Sequence, residues 1–258
     1  MMCQIIKKIS ELEEKQIYNI TNNVPKGILL VMILLYAYLT LFTTNINYMR
    51  FFLLVVIILA VIIFWIISSV EKISSFILNE NIELEKYTNF IFLLYKGAKN
   101  KVQKREYFEQ YQVSEATSLY LKGNFEEALK KLECVNFERI TKRHRIKYQD
   151  MVSYYSYLCN CQLGEFQTSI NREFKNLPNN HVSRLEAIQA IKQGKSTDYF
   201  EKSIPKTHLE SISTNYYLAL NEINLGNPEK AKELFQTIAT ENPELFYVQE
   251  AKQYLEEN

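Results

Sequence analysis

Two stretches of this chain carry no charge at all, and they leave it little choice of surroundings. Residues 27–44 read GILLVMILLYAYLTLFTT and residues 51–69 read FFLLVVIILAVIIFWIISS. Each is close to the ~20 helical residues needed to cross about 30 Å of hydrocarbon. A helix of a soluble core would show a polar residue every third or fourth position, and these runs do not. Leu, Ile, Phe and Val each favour insertion by about 0.3–0.6 kcal/mol near a helix centre, so the second run inserts by a wide margin. Tyr36, Tyr38 and Thr40 dilute the first, which is expected to insert together with its partner. The reading is two transmembrane helices, 27–44 and 51–70, joined by a short external loop, 45–50.

So short a connection makes the helices antiparallel neighbours and puts both ends of the hairpin on one side. Lys7, Lys8, Lys15 and Lys26 precede the hairpin and Lys72, Lys86 and Lys96 follow it, while the loop holds Arg50 alone. Basic residues stay on the cytoplasmic side, so both termini are expected in the cytoplasm of a two-span protein of the cell membrane. A cleaved secretory signal is not expected, because the first run begins after a polar stretch and no small-residue cleavage site follows it.

The flanking segments are amphipathic. Residues 1–26 are read as a cytoplasmic N-terminus with a helix over 3–20, in which Ile5, Ile9 and Leu12 share a face suited to a membrane surface. Residues 71–106 are read as a helical basic connector, with apolar patches at Ile73, Phe76 and Ile77 and at 90–95. Its end, KGAKNKVQKR, holds five positive charges and no acid. Lys96, Lys99, Lys101, Lys104 and Arg105 are therefore candidate contacts for the anionic lipid of a cytoplasmic leaflet.

Composition narrows the function. Among 258 residues, 30 basic side chains nearly cancel 29 acidic ones, whereas nucleic-acid binding usually needs a basic excess, so no nucleic acid is expected. Six glycines and five prolines are too few for the turns of an all-β domain, and an all-α chain follows. Cys3, Cys134, Cys159 and Cys161 have no metal-ligand spacing and suit a reducing compartment.

The soluble half, 107–258, repeats a plan of helix, glycine turn and second helix, with turn glycines at 123, 164, 194 and 226. Residues 216–243, YYLALNEINLGNPEKAKELFQTIATENP, resemble a tetratricopeptide repeat through Leu218, Ala219, Gly226, Ala231, Phe235 and Pro243. Glu222 departs from the pattern where the family usually has an aromatic. Residues 115–135 match through Ala116, Tyr120, Gly123, Phe125, Ala128 and Leu132 but lack the closing proline. Residues 154–174 keep Gly164 and Phe166 but carry Ser169 at the crossing position, and 184–204 put Tyr199 there, which predicts an irregular unit. Small residues let paired helices approach, and stacked pairs share one core. Residues 245–258 fit a capping helix, so the expectation is a transmembrane hairpin followed by a tetratricopeptide-like α-solenoid.

Chemistry is scarce. No phosphate-binding loop, nucleophile elbow or dinucleotide fingerprint occurs, and His144, His181 and His208 lack partners at metal-ligand helical spacing. No enzyme activity, metal or cofactor is expected. The resemblance implies a concave groove for a protein or peptide partner, with Tyr154, Asn160, Gln189, Asn215 and Glu222 as exposed first-helix positions. A second basic run, Lys142 to Lys147, is a further charged candidate. The rival reading is an accessory or immunity-type subunit that works through its hairpin on a membrane complex or transporter. An intramembrane enzyme is disfavoured, since neither span carries Asp, Glu, His, Lys or Arg.

Overall fold

The computed structural model describes residues 2–42, 46–166 and 179–258, and these are helical with short connections. The chain divides into two compact units, Met1–Leu94 and Tyr95–Asn258.

In the first unit, α1 (Met2–Ser10) and α2 (Glu14–Tyr18) precede a π-helical turn, Asn19–Asn23, that leads into α3 (Val24–Phe42). Proline has no N–H and its ring crowds the carbonyl four residues back, so a helix approaching Pro25 widens. Thr21 lies in that turn and donates its hydroxyl to the Ile17 carbonyl at 2.9 Å. The second long helix, α4, runs Ile46–Asn79, which makes 46–50 helical rather than loop. Residues 43–45 lie outside the described residues. Runs Glu14–Leu41 and Tyr48–Asn79 are long and apolar enough to cross a membrane, with mean hydropathy 1.9 and 3.3, and the apolar stretch of each is only 6% buried. The two long helices meet where Tyr36 and Phe52 stack at 6.2 Å.

The apolar run ends near Ser69 but α4 does not, and its extension carries buried Ile73 and Ile77. Helix α1 packs on α4, and Asn81 donates to the Ser10 carbonyl at 3.4 Å. This partner corrects the expected amphipathic face. Ile6 is buried at 6% together with Ser10, whereas Ile5 is 38% exposed. The connection after α4 passes through Ile82, whose φ of 55° is left-handed and unusual for a β-branched residue. Helix α5 (Leu84–Gly97) follows and buries Leu84, Tyr87, Phe90, Ile91 and Leu94.

The second unit is built of helical hairpins. Helices α6 (Lys101–Leu121) and α7 (Phe125–Glu133) turn at Gly123, φ 85°. A 3₁₀ turn, Phe137–Arg139, then leads into α8 (Lys142–Leu163), which ends on left-handed Gly164. The Glu165 N–H closes that end on the Asn160 carbonyl at 2.8 Å. Residues 167–178, including Ser169, lie outside the described residues. Helix α9 (Asn179–Lys192) is followed by α10 (Tyr199–Lys202), a helix of four residues where a full partner would complete the pair. The last hairpin is α11 (His208–Asn224) and α12 (Pro228–Ile238), and α13 (Phe246–Glu257) packs on both. Ala128 and Ala231 are fully buried, as close helix crossings require, and Leu132 and Phe235 are buried beside them.

The unit also closes on itself. Tyr120 of α6 packs edge-on against Phe246 of α13 at 5.5 Å and against Tyr155 of α8 at 5.5 Å. Its hydroxyl lies 3.2 Å from that of Tyr247, and Lys122 pairs with Glu244 at 3.1 Å. The first hairpin and the final helix are therefore in direct contact.

Candidate functional site

Four of the five expected groove positions have side chains engaged with their own neighbours. Glu222 is 1% exposed, not a surface residue. Its carboxylate accepts from Lys230 at 2.5 Å and from Asn227 at 2.8 Å, and these donors hold it below the usual carboxylate range. Tyr154, Asn160, Gln189 and Asn215 are half-buried. Tyr154 meets Tyr155 and His181 edge-on, Gln189 accepts from the Tyr157 hydroxyl, and Asn215 donates to Thr237 at 3.3 Å. Asn160 contributes its backbone carbonyl to the end of α8.

Where α8, α9 and α11 meet lies a tyrosine-rich seam around Arg184. That side chain is buried, donates to Ser213 at 2.7 Å, and lies 5.2 Å from the Phe200 ring centre. Burial works against its charge, but the oxygens of Tyr154, Tyr247 and Tyr217 and the Glu210 carboxylate prevail and raise its pKa. Tyr217 accepts from Gln162 at 2.9 Å, and Tyr216 donates to Glu250. Tyr120, Tyr216 and Tyr217 are all held well above the ordinary phenol range, chiefly by burial. They are structural hydroxyls, locked in the neutral form.

An opening lies beside this seam, where the third hairpin is cut short. A depression of about 870 Å³ is lined by Ala187 and Ala190 of α9. Glu186, Lys202, Lys206 and Glu210 stand around it, together with Tyr199. Tyr199 donates to the Asn180 carbonyl at 2.9 Å, and Asp198 pairs with Lys202. Small side chains ringed by charges of both signs suit a polar, mixed-charge peptide better than a drug-like apolar ligand. Sequence reasoning locates the irregularity through Tyr199 and misses the depression, because the depression depends on how few residues α10 keeps.

The five basic positions Lys96, Lys99, Lys101, Lys104 and Arg105 are all exposed. Asn100 caps α6 by accepting from the Val102 N–H at 2.8 Å, and Lys104 sits 5.6 Å from the Tyr95 ring. Immediately beyond them the charge reverses and goes inward. Glu106 and Glu109 of α6 are buried. Glu109 accepts from the Asn136 N–H at 2.8 Å and from Arg139 at 3.2 Å. Glu106 lies 2.5 Å from the His144 ring nitrogen and accepts from Thr141 at 3.2 Å. These carboxylates bind the start of α8 to α6, a role that charge alone does not reveal.

The remaining polar chemistry is dispersed. His208 pairs with Glu241 at 3.1 Å, and His181 has its pKa lowered, mainly by burial. Among the described residues, no group of three His, Cys, Asp or Glu side chains is placed to hold a metal ion. Cys134 is exposed, whereas Cys159 and Cys161 are buried and their thiols are pushed up to about 12 and about 11. Compared with known protein families, curated proteins and solved structures, the chain matches none significantly.

Proposed function

We propose that the chain is a membrane-anchored, cytoplasm-facing tetratricopeptide-like module that binds a protein partner and has no enzymatic activity of its own. The observation that carries this reading is the break in the third hairpin. Where a full second helix would cover α9, α10 has four residues, and the depression beside Ala187 and Ala190 takes its place. The inner faces are occupied by the chain's own tyrosines, so the partner docks in the depression rather than along a concave groove. Support for the repeat reading comes from Ala128 and Ala231, both fully buried at their crossings. The excess of lysines flanking the hairpin supports the cytoplasmic orientation.

The test uses the intact chain in membranes, with a photo-crosslinking amino acid at Ser183 or Lys202. A discrete adduct to one partner is expected at both positions, lost when Ala190→Trp fills the depression with the fold unchanged by circular dichroism. If neither position yields a partner-specific adduct, the docking reading fails. The rival, an accessory subunit acting through its hairpin, draws support from the exposure of Leu34, Phe51 and Phe64 on the long helices. Replacing both spans with an unrelated hairpin separates the two. Lost partner capture favours the hairpin, and retained capture favours the depression.

A further inference from the structure

The two basic runs lie far apart along the chain, yet the fold brings their helices together. Arg105 closes the first run, on α6, and Lys142 opens the second, on α8. Glu106 of α6 meets His144 of α8 at 2.5 Å, and Tyr120 of α6 meets Tyr155 of α8 at 5.5 Å. Residue numbers rise together along both helices, so α6 and α8 run parallel and begin at the same end of the unit. That end gathers Lys101, Lys104 and Arg105 from one helix with Lys142 and Lys147 from the other, all exposed. Glu106 and Glu109 are turned inward and paired, which leaves exposed Glu133, at the end of α7, and Glu138, just before α8, against these five basic side chains.

Each helix start also shows an aliphatic side chain to solvent. Val102 is 57% exposed and Ile146 is 55% exposed, each close in sequence to lysines or arginines. Basic residues beside exposed aliphatics suit a bilayer interface, where the charges meet lipid phosphates and the aliphatics enter the acyl boundary. Chain connectivity agrees: α6 opens soon after Tyr95, the residue at which the chain leaves the unit that carries the long apolar helices.

We propose that the paired starts of α6 and α8 form a docking surface for an anionic phospholipid bilayer. This rests on the membrane-anchored reading above and extends it from a linear basic segment to a folded two-helix surface.

The test reconstitutes the intact chain in vesicles of phosphatidylcholine alone or with three-tenths phosphatidylserine. Nitroxide labels are placed at Val102→Cys or Ile146→Cys in a Cys3→Ser, Cys134→Ser background, with Gln253→Cys as the distal control. In anionic vesicles both tip labels are expected to gain at least twofold in accessibility to oxygen relative to a water-soluble relaxant, and the control is expected not to change. Half-molar salt, or Lys101→Glu with Lys142→Glu, should remove the gain. Equal accessibility in the two vesicle types overturns the proposal, as does stronger protection of the tips by a single-stranded RNA than by anionic vesicles. Alkaline extraction of the chain from the vesicles would instead sink the anchored reading itself, so the two failures are distinguishable.

Discussion

Tyr120 offers the sharpest test of the closed second unit, because it touches both ends of it. Its buried ring packs against Phe125, Tyr155 and Phe246, and its hydroxyl meets that of Tyr247. Removing a buried aromatic side chain costs about 3–5 kcal/mol. For a unit of this size that lowers Tm by roughly 2–4 °C per kcal/mol. Part of the cost belongs to α13. An edge-on aromatic pair contributes about 0.5–1.5 kcal/mol beyond burial, and a buried hydroxyl pair about 1 kcal/mol. A double-mutant cycle of Tyr120→Ala against the combined Phe246→Leu, Tyr247→Phe change should therefore show a coupling of about 1.5–2.5 kcal/mol. The assay is urea denaturation of the intact chain in detergent, followed by tyrosine fluorescence and far-ultraviolet circular dichroism. Costs that add to within about 0.5 kcal/mol would refute the contact between the first hairpin and the last helix.

Glu109→Ala should cost about 1–3 kcal/mol, because the Asn136 N–H loses its acceptor, while Glu109→Gln should cost less; urea melts compare them. The half-exposed Arg139 partner adds little. Cys134 should react with a thiol reagent at once, and Cys159 and Cys161 only on denaturation. Both buried thiols are raised above the ordinary value of 9.0, so the stability they confer is complete below pH 9 and is lost as pH climbs through the folded values. Unfolding midpoints in urea across that range check the direction. Ile58→Lys, placed within the apolar run of α4, loses the favourable Ile contribution as well as adding the Lys cost, so it should weaken insertion by about 3–4 kcal/mol and shift chain from the carbonate-resistant to the extractable fraction.

The long apolar helices are legible in the sequence because a run without charge has few physical solutions. The glycine turns are legible as well, and at Gly123 the reason extends beyond φ, since a Cβ there would stand 3.2 Å from that of Phe246. Tyr199 signals the irregular third pair. What the residues do not reveal are properties of their partners. Ile6 rather than Ile5 faces inward because α4 continues past its apolar run and supplies Ile73 and Ile77. Glu222 reads as an exposed position, and nothing in the sequence singles out Glu106 or Glu109, yet each is buried against donors that no local pattern pairs with it. The meeting of Tyr120 with Phe246 spans most of the unit and leaves no local trace.

Helix α4 has no joint between its oily stretch and the platform on which α1 rests. Residues 70–79 prolong it by about 15 Å beyond Ser69, in one uninterrupted rod. Such a rod acts as a lever, and each 10° of tilt would swing its tip roughly 2–3 Å sideways. In the membrane-anchored reading proposed above, a change in bilayer thickness that tilts α4 would displace that tip by the same lever.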